Sequence, residues 1–459
     1  MTFAFPPLKS TVPHIGWPAI PTPVASQLLA VLSQLEQSQW WSIEKIRAQQ
    51  WQQLQQLVEH TYQTVPFYKA QLQKIGFNPG ETITPEMWKQ LPLLSRDRIR
   101  EQNQELHSQS PPTAHGSIDS VRTSGSTGKP ITVYRTEVNR FLWQAATLRD
   151  HYWHKRNLTG TLAAIRKFKG DFAPYPTGEK ASDWGAPTNI LHQTGPMVGI
   201  DILTPVTQQA EWLQRQNPEY LITFPSNAAA LAEQCQKQGI RLPNLREVRL
   251  VGEVVDDTIR ETCKAAWSVP ITDMYSSQEV GYIALQCPEH EHYHLQSEIA
   301  YIEILNSQGD PCQLGEIGKV VVTPLHNFAM PLLRYDIGDY AEVGAPCSCG
   351  RGLPVVTKIL GRVRNMLRLP NGQQHWPALG ELSYAEVAPV TQHQLVQKSL
   401  DHIEARLVVE RPVTDHEETQ LKAIILERLK HPFTVSLTYP EKIERSKGGK
   451  FEEFLSEIF

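Results

Sequence analysis

The densest chemistry in the sequence lies in the string Thr123-Ser124-Gly125-Ser126-Thr127-Gly128-Lys129-Pro130. Its first seven residues hold four hydroxyls, two glycines and a lysine. Glycines let backbone N–H groups close on a phosphate, hydroxyls donate to its oxygens, and lysine adds charge. The string reads as a phosphate-binding loop. It is not a Walker A loop, which places four residues between its glycines and Ser or Thr after its lysine. Here two residues separate Gly125 from Gly128, and Pro130 follows Lys129. A second concentration is Cys287-Pro-Glu-His-Glu-His-Tyr-His294 with Cys347-Ser-Cys349. Thiolates at 347 and 349, with one more cysteine and one histidine, would close a tetrahedral site of three sulfurs and one nitrogen. His290-Glu291-His292-Tyr293-His294 also satisfies H-E-x-x-H, the metalloprotease signature. That chemistry needs a helix. Pro288 and the strand-like run Ile299–Leu305 argue for loop and strand, so the protease reading is set aside. Cys235, Cys263 and Cys312 show no such pattern and read as structural.

The elements that must position these residues follow from periodicity. Residues 1–25 carry six prolines and read as an extended arm. Residues 26–63 are Gln-rich and read as helix, with Ile43, Ile46, Trp51, Leu54, Leu57 and Val58 on one face. From about 140 to 360, short apolar strands alternate with helical patterns, which predicts α/β layers around a largely parallel sheet. One strand, through Val248, Leu250 and Val251, ends at Gly252-Glu253; another runs through Val320, Val321 and Val322. The last hundred residues read as a separate small α+β unit. Ile403, Ala405, Leu407 and Val409 alternate as a half-buried strand, and Thr414 and Glu417 have capping-box spacing before a helix with Leu421, Ile424, Ile425 and Leu429. Phe433, Val435, Leu437 and Tyr439 alternate again, and the basic loop Arg445-Ser-Lys-Gly-Gly-Lys450 follows.

The phosphate-loop string resembles the signature loop of the adenylate-forming superfamily, which includes acyl-CoA synthetases, firefly luciferase and nonribosomal adenylation domains. Further segments resemble its other motifs in the same order: Met274-Tyr275-Ser276-Ser277-Gln278-Glu279, Gly315-Glu-Ile-Gly318, Leu333-Arg334-Tyr335-Asp336-Ile337-Gly338-Asp339, Gly361-Arg362 and Gly449-Lys450. Val65-Pro66-Phe67-Tyr68 closing a helix, with the Leu91-Pro92 stop, is similar to the phenylacetate–CoA ligase branch. The resemblance spans about residues 45–459. It implies a large N-terminal AMP-binding domain over 1–361 and a small mobile domain over 362–459. It also implies a two-step reaction: a carboxylate attacks the ATP α-phosphate, then a thiol displaces AMP, in chemistry that rests on positioning and charge neutralisation.

By that resemblance, the loop from Thr123 through Ser124, Gly125, Ser126, Thr127 and Gly128 to Lys129 holds the β- and γ-phosphates, and Glu279 binds Mg²⁺. Tyr275 packs on adenine, with Gly252, Glu253 and Ser276 nearby. Asp339 accepts from the ribose hydroxyls, and Arg362 contacts the nucleotide. Lys450, preferred over Lys447, stabilises charge in the adenylation transition state. Phe224, in Phe224-Pro225-Ser226, is expected to face the acyl group, and Arg364 to lie at the hinge. The branch's structural zinc would take Cys287, His294, Cys347 and Cys349. The implied partners are ATP, Mg²⁺, a carboxylic acid, and CoA or a carrier-protein thiol. An amine acceptor, or a fold that has lost adenylation and serves as a hydrolase or binding module, are the rival readings. A homodimer is compatible with the sequence.

The sequence departs from the family in three places. Ser276 and Gln278 replace a glycine and a hydroxyl, and an amide reaches differently from a hydroxyl. Arg364 and Asn365 stand where the family has aspartates around the hinge. Ser95-Arg96 stands where the branch has Thr-Lys.

Composition excludes several other classes. The 44 Lys+Arg against 48 Asp+Glu give −4, with no bulk field to attract nucleic acid or an anionic membrane. At 40% hydrophobic and 20% charged, the 459-residue chain is globular, long enough for more than one core. No run approaches the roughly 18 apolar residues of a membrane span. No signal peptide is read, and six cysteines are too few for a disulfide scaffold, so a cytoplasmic enzyme is expected.

Overall fold

The computed structural model describes residues 6–123, 130–168, 172–377, 384–446 and 448–458. Five helices open the chain: α1 (Pro23–Ser38), α2 (Ile43–Thr64), α3 (Pro66–Lys74), α4 (Pro85–Gln90) and α5 (Arg96–Glu101). The Gln-rich stretch is thus two helices. Ser42 caps α2 by accepting from Lys45 N, a start signal that the continuous helical reading of 26–63 overlooked. The arm is also shorter than expected, because Thr22 caps α1 just before Pro23. Val65 separates α2 from α3, with Pro66 at the first position of α3. The hairpin β1 (Ile118–Arg122) and β2 (Thr132–Thr136) pairs Arg122 with Thr132 and so brackets the phosphate-loop string.

After α6 (Glu137–Trp153) the chain winds a twelve-stranded sheet. Its first part is β3 (Leu162–Arg166), β4 (Glu179–Ala181), α7 (Thr188–Leu191), β5 (Met197–Asp201), α8 (Val206–Gln216), β6 (Tyr220–Thr223), α9 (Pro225–Gln238), β7 (Glu247–Val251), α10 (Asp257–Trp267) and β8 (Ile271–Ser277). Here β5, β3, β6, β7 and β8 lie side by side and parallel. The expected largely parallel sheet ends there. Strands β9 (Gly281–Gln286), β10 (Tyr293–Leu295), β11 (Ala300–Leu305), β12 (Ile317–Pro324), β13 (Tyr335–Val343) and β14 (Val355–Arg362) are antiparallel. No helix lies between them, so they lack the crossover that parallel pairing requires.

The C-terminal part begins with the hairpin β15 (Leu367–Arg368) and β16 (Gln374–His375), then α11 (Tyr384–Val387), β17 (Val390–Gln397), β18 (His402–Val409), α12 (Asp415–Leu429), β19 (Thr434–Thr438) and β20 (Phe454–Ser456). Four of these strands form their own sheet in the order β19-β18-β17-β20. The Thr414/Glu417 capping box forms as read. Strands β17 and β20 were not foreseen. Ile403, Ala405 and Leu407 of β18 pack with Leu421, Ile425 and Leu429 of α12 in a core distinct from the two larger ones of the preceding part. Among the described residues, no helix is long and apolar enough to cross a membrane.

Candidate active site

The parallel strands end on one edge, where open α/β sheets place their ligands. Strand β7 leads to Gly252, whose φ is +84°. A Cβ there would crowd Phe224 Cε1 at 3.1 Å and Lys450 Cε at 3.3 Å, and the positive φ itself favours glycine where Lys450 approaches. Glu253 joins them. Its Oε2 accepts from Ser226 N at 3.0 Å, its Oε1 accepts from Phe451 N at 2.6 Å, and Arg445 Nη1 lies 3.6 Å away. Arg445 also donates to Ser226 Oγ at 3.0 Å. Arg445 and Phe451 thereby dock on the N-terminal part, and Lys450 lines the cleft. Burial pushes the Lys450 ammonium below the ordinary lysine range; Arg362 adds to this, and Asp339, Glu253 and Glu279 oppose it.

Strand β8 supplies Tyr275 and Ser276 at a β-bulge, where its register with β9 shifts. Tyr275 donates its hydroxyl hydrogen to Asp339 Oδ2 at 2.7 Å. Asp339, on β13, pairs in register with Arg362 of β14, whose Nε is 3.5 Å from Asp339 Oδ1. Tyr275, Asp339, Arg362, Gly252, Glu253, Ser276, Glu279 and Lys450 thus line one cleft of about 1430 Å³. That is enough for more than a single drug-sized ligand.

Glu279 is 8% exposed and is held by Arg96: Nη1 donates to Glu279 Oε1 at 2.9 Å. The same guanidinium donates through Nη2 to Thr123 Oγ1 at 2.6 Å, and Thr123 Oγ1 accepts from Ile131 N at 3.1 Å. Arg96 therefore ties the first residue of the phosphate string to the carboxylate expected to take magnesium. Sequence reasoning noted Arg96 only as a departure and missed this bridge. Ser124, Gly125, Ser126, Thr127, Gly128, Lys129 and Lys447 lie outside the described residues. Phe224 caps α9 with 7% of its surface exposed; its ring packs near Gly252 and Gly449 and is not among the cleft-lining residues. Arg364 pairs with Glu452 of the C-terminal part.

The cysteine and histidine segments meet as expected. One ligand atom from each of Cys287, His294, Cys347 and Cys349 lies within 4.8 Å of all the others. Cys287 Sγ to Cys347 Sγ is 3.8 Å, and Cys349 Sγ to His294 Nε2 is 3.5 Å. A tetrahedral zinc with bonds of about 2.3 Å to sulfur and 2.0 Å to nitrogen spans edges of about 3.8 and 3.5 Å. His294 Nδ1 faces the Leu353 carbonyl at 3.4 Å, which turns Nε2 toward the sulfurs. His292 touches Cys347 Sγ at 3.0 Å but stands outside the set of four. His294 lies on β10, so the H-E-x-x-H string has no helix to act from.

Comparison with known proteins agrees with this layout. The model of the CapK C-terminal domain matches residues 382–457. A phenylacetate-coenzyme A ligase of Thermus thermophilus is 26% identical, covering 90% of this chain and 96% of its own length. One of Pseudomonas putida is 22% identical over 84% and 86%. Among solved structures, 2-hydroxyisobutyryl-CoA ligase in the postadenylation state has a TM-score of 0.70 at 17% identity, covering 92% of each chain. The same ligase in its thioesterification state scores 0.56 at 18% identity, covering 91% of each. The fold is that of the adenylate-forming ligases. Along most of its length the chain is also similar in sequence to curated phenylacetate-coenzyme A ligases.

Proposed function

We propose that the protein activates a carboxylic acid with ATP as an acyl-adenylate and then passes the acyl group to the thiol of CoA. The observation that carries the reading is the delivery of Lys450 into a cleft that already holds Glu279, Asp339, Tyr275 and Arg362. In the first step a carboxylate oxygen attacks the α-phosphorus and the bond to the β-phosphate oxygen breaks, releasing pyrophosphate. In the second the thiol sulfur attacks the acyl carbon, the acyl–phosphate bond breaks, and AMP leaves. Lys450 places a compact positive charge where negative charge develops, in a partly dehydrated site where it is worth more than in water. Asp339 exchanges its Tyr275 and Arg362 contacts for the ribose hydroxyls, and Tyr275 offers its ring to the base. Glu279 would hold Mg²⁺, which neutralises phosphate charge when bound; Arg96 holds that carboxylate in place beforehand.

The reading is supported by the curated relatives, phenylacetate-coenzyme A ligases along most of their length. A carrier-protein thiol or an amine is the other acceptor to test. The cluster Cys287, His294, Cys347 and Cys349 would hold a structural zinc, since four protein ligands leave no open position for substrate. The direct test is ATP–pyrophosphate exchange with Mg²⁺ across aryl, arylacetic, fatty and amino acids, followed by thioester formation with CoA. Acid-dependent exchange is expected. Folded, ATP-binding protein that exchanges with none would overturn the reading.

A further inference from the structure

The cleft continues from the Gly252 edge along one face of the parallel strands, between the sheet and α6. Alternation on β7 sends Val248 and Leu250 into the core on one side and Glu247, Arg249 and Val251 to the other. Central parallel strands are apolar on both faces as a rule. Here an arginine stands in one, 4% exposed, between β6 and β8. Behind it lies a closed charge network. Arg156 donates to Asp150 at 2.6 Å and to both oxygens of Glu247 at 2.6 and 2.8 Å, and Thr272 donates to Glu247 at 2.5 Å. Arg249 Nη2 donates to the same Asp150 oxygen at 2.8 Å. Two guanidinium groups thus balance two carboxylates.

Only Arg249 of these four charges reaches the cleft wall. Its Nε has no partner among the described residues. A buried charged donor without an acceptor is costly to keep. The rest of this stretch joins apolar Ala164, Leu162, Ile222, Met197 and Trp184 to the uncharged polar groups of Thr147 and Tyr282, which bond each other, and of His151, which faces Arg156. Arg249 stands three residues from Gly252, roughly 10 Å along the strand.

We infer that the acid activated here has a mainly apolar body ending in a neutral oxygen acceptor, a hydroxyl or keto group, which Arg249 receives at the far end of the acyl site. A neutral acceptor is required because the network is already balanced, and a second carboxylate would leave an unpaired negative charge inside the sheet. The inference rests on the adenylation reading and names its substrate class.

The test is pyrophosphate exchange with matched acids: 3-phenylpropanoate against 3-(4-hydroxyphenyl)propanoate, and octanoate against 7-oxo-octanoate and octanedioate. The oxygen-bearing neutral acid should exceed its parent in kcat/KM by about ten- to a hundredfold, the discrimination of a hydrogen bond to a charged donor. Octanedioate should fall below 7-oxo-octanoate. In Arg249→Met the ratio of substituted to parent acid should drop to about one, and Arg249→Lys should keep part of it. Equal use of parent and substituted acids by the wild-type enzyme overturns the inference and leaves adenylation standing. So does an equal loss on both acids in the variants, and so does preference for octanedioate. Exchange with no acid overturns both readings. The wild-type ratios decide the matter even where a variant does not fold.

Discussion

Glu453 gives the docking of the two parts a pH dependence that can be worked out. It immediately precedes β20, two residues after Phe451, whose N–H is held by Glu253. Burial, with the nearby carboxylates of Asp256, Glu253 and Glu233, pushes its carboxyl up to about 7 from the ordinary 4.5. These three acids belong to the N-terminal part. Undocking takes the carboxylates of Asp256, Glu253 and Glu233 away from Glu453, so its affinity for a proton falls toward the ordinary one. The docked form therefore binds the proton more tightly. Docking is fully favoured below about 4.5, weakens as pH rises through the interval to 7, and carries a constant penalty above it. At about 1.36 kcal/mol per unit the full shift sets an upper bound of about 3.4 kcal/mol, or about three-hundredfold, on the penalty in the docking equilibrium. Limited proteolysis of the 362–366 connector and small-angle scattering, from pH 5.5 to 8.5, would read this as faster cleavage and a larger radius of gyration at high pH. Glu453→Gln keeps the shape and removes the charge, so it should stay docked at pH 8. A variant that opens with the same pH dependence as the wild type would refute the argument.

Lys450→Ala should reduce acyl-adenylate formation by at least a hundredfold while ATP binding, followed by calorimetry, persists; full adenylation would sink the role given to it. Because burial depresses Lys450, and an ammonium is lost as pH rises, adenylation should fall on the alkaline side below the ordinary lysine pKa of 10.5, and a pre-steady-state pH profile of acyl-AMP formation would locate that limb. Arg96→Met strands the buried Glu279 carboxylate and should destabilise the fold by about 2 to 4 kcal/mol. Its thermal midpoint should fall, and Mg²⁺ with ATP should restore more of it than in the wild type; an unchanged midpoint would count against the bridge. Elemental analysis should find about one zinc per chain in the wild type and little in Cys347→Ser, as a closed four-ligand site requires; metal-free, fully folded wild-type protein would dismiss the centre.

Much of the site was legible because its residues sit in short strings whose backbone needs are local. Gly252 after β7 and Gly361 at the end of β14 both have positive φ, and each marks a close approach that a side chain would block. The cysteine and histidine set was legible because two strings, 287–294 and 347–349, hold all four donors. The Arg249 network was not, because Asp150, Arg156, Glu247 and Arg249 come from α6, the turn after it and β7, and none carries a spacing signal. Arg96 could be noticed only as a mismatch, since its partners Glu279 and Thr123 are remote in sequence. The antiparallel half of the sheet was misread because the apolar runs of β9 to β14 resemble buried parallel strands; the absence of helical periods between them was the discriminating signal.

The replacement of the hinge aspartates by Arg364 and Asn365 also acquires a physical sense. Arg362 belongs to β14, is paired in register with Asp339 of β13, and so travels with the large sheet. Arg364 pairs with Glu452, and Asn365 Nδ2 donates to the Phe454 carbonyl at 2.7 Å, so both travel with β20 and the small sheet. The aspartate contacts have not simply been lost; a cation and an amide take up a carboxylate and a carbonyl on the C-terminal side. If the proposed half-reactions are joined by a rotation, these contacts put its pivot between 362 and 364. Gly361, at φ +76° with Val254 Cγ2 2.9 Å from where a Cβ would stand, holds the last fixed turn before that pivot. Rotation there would carry Lys450 out of the cleft and break the Glu253–Phe451 and Arg445–Ser226 contacts together, leaving the Arg364 and Asn365 clamps intact. In such a rotation Arg364 and Asn365 would stiffen the C-terminal side of the joint and leave the joint itself free to turn.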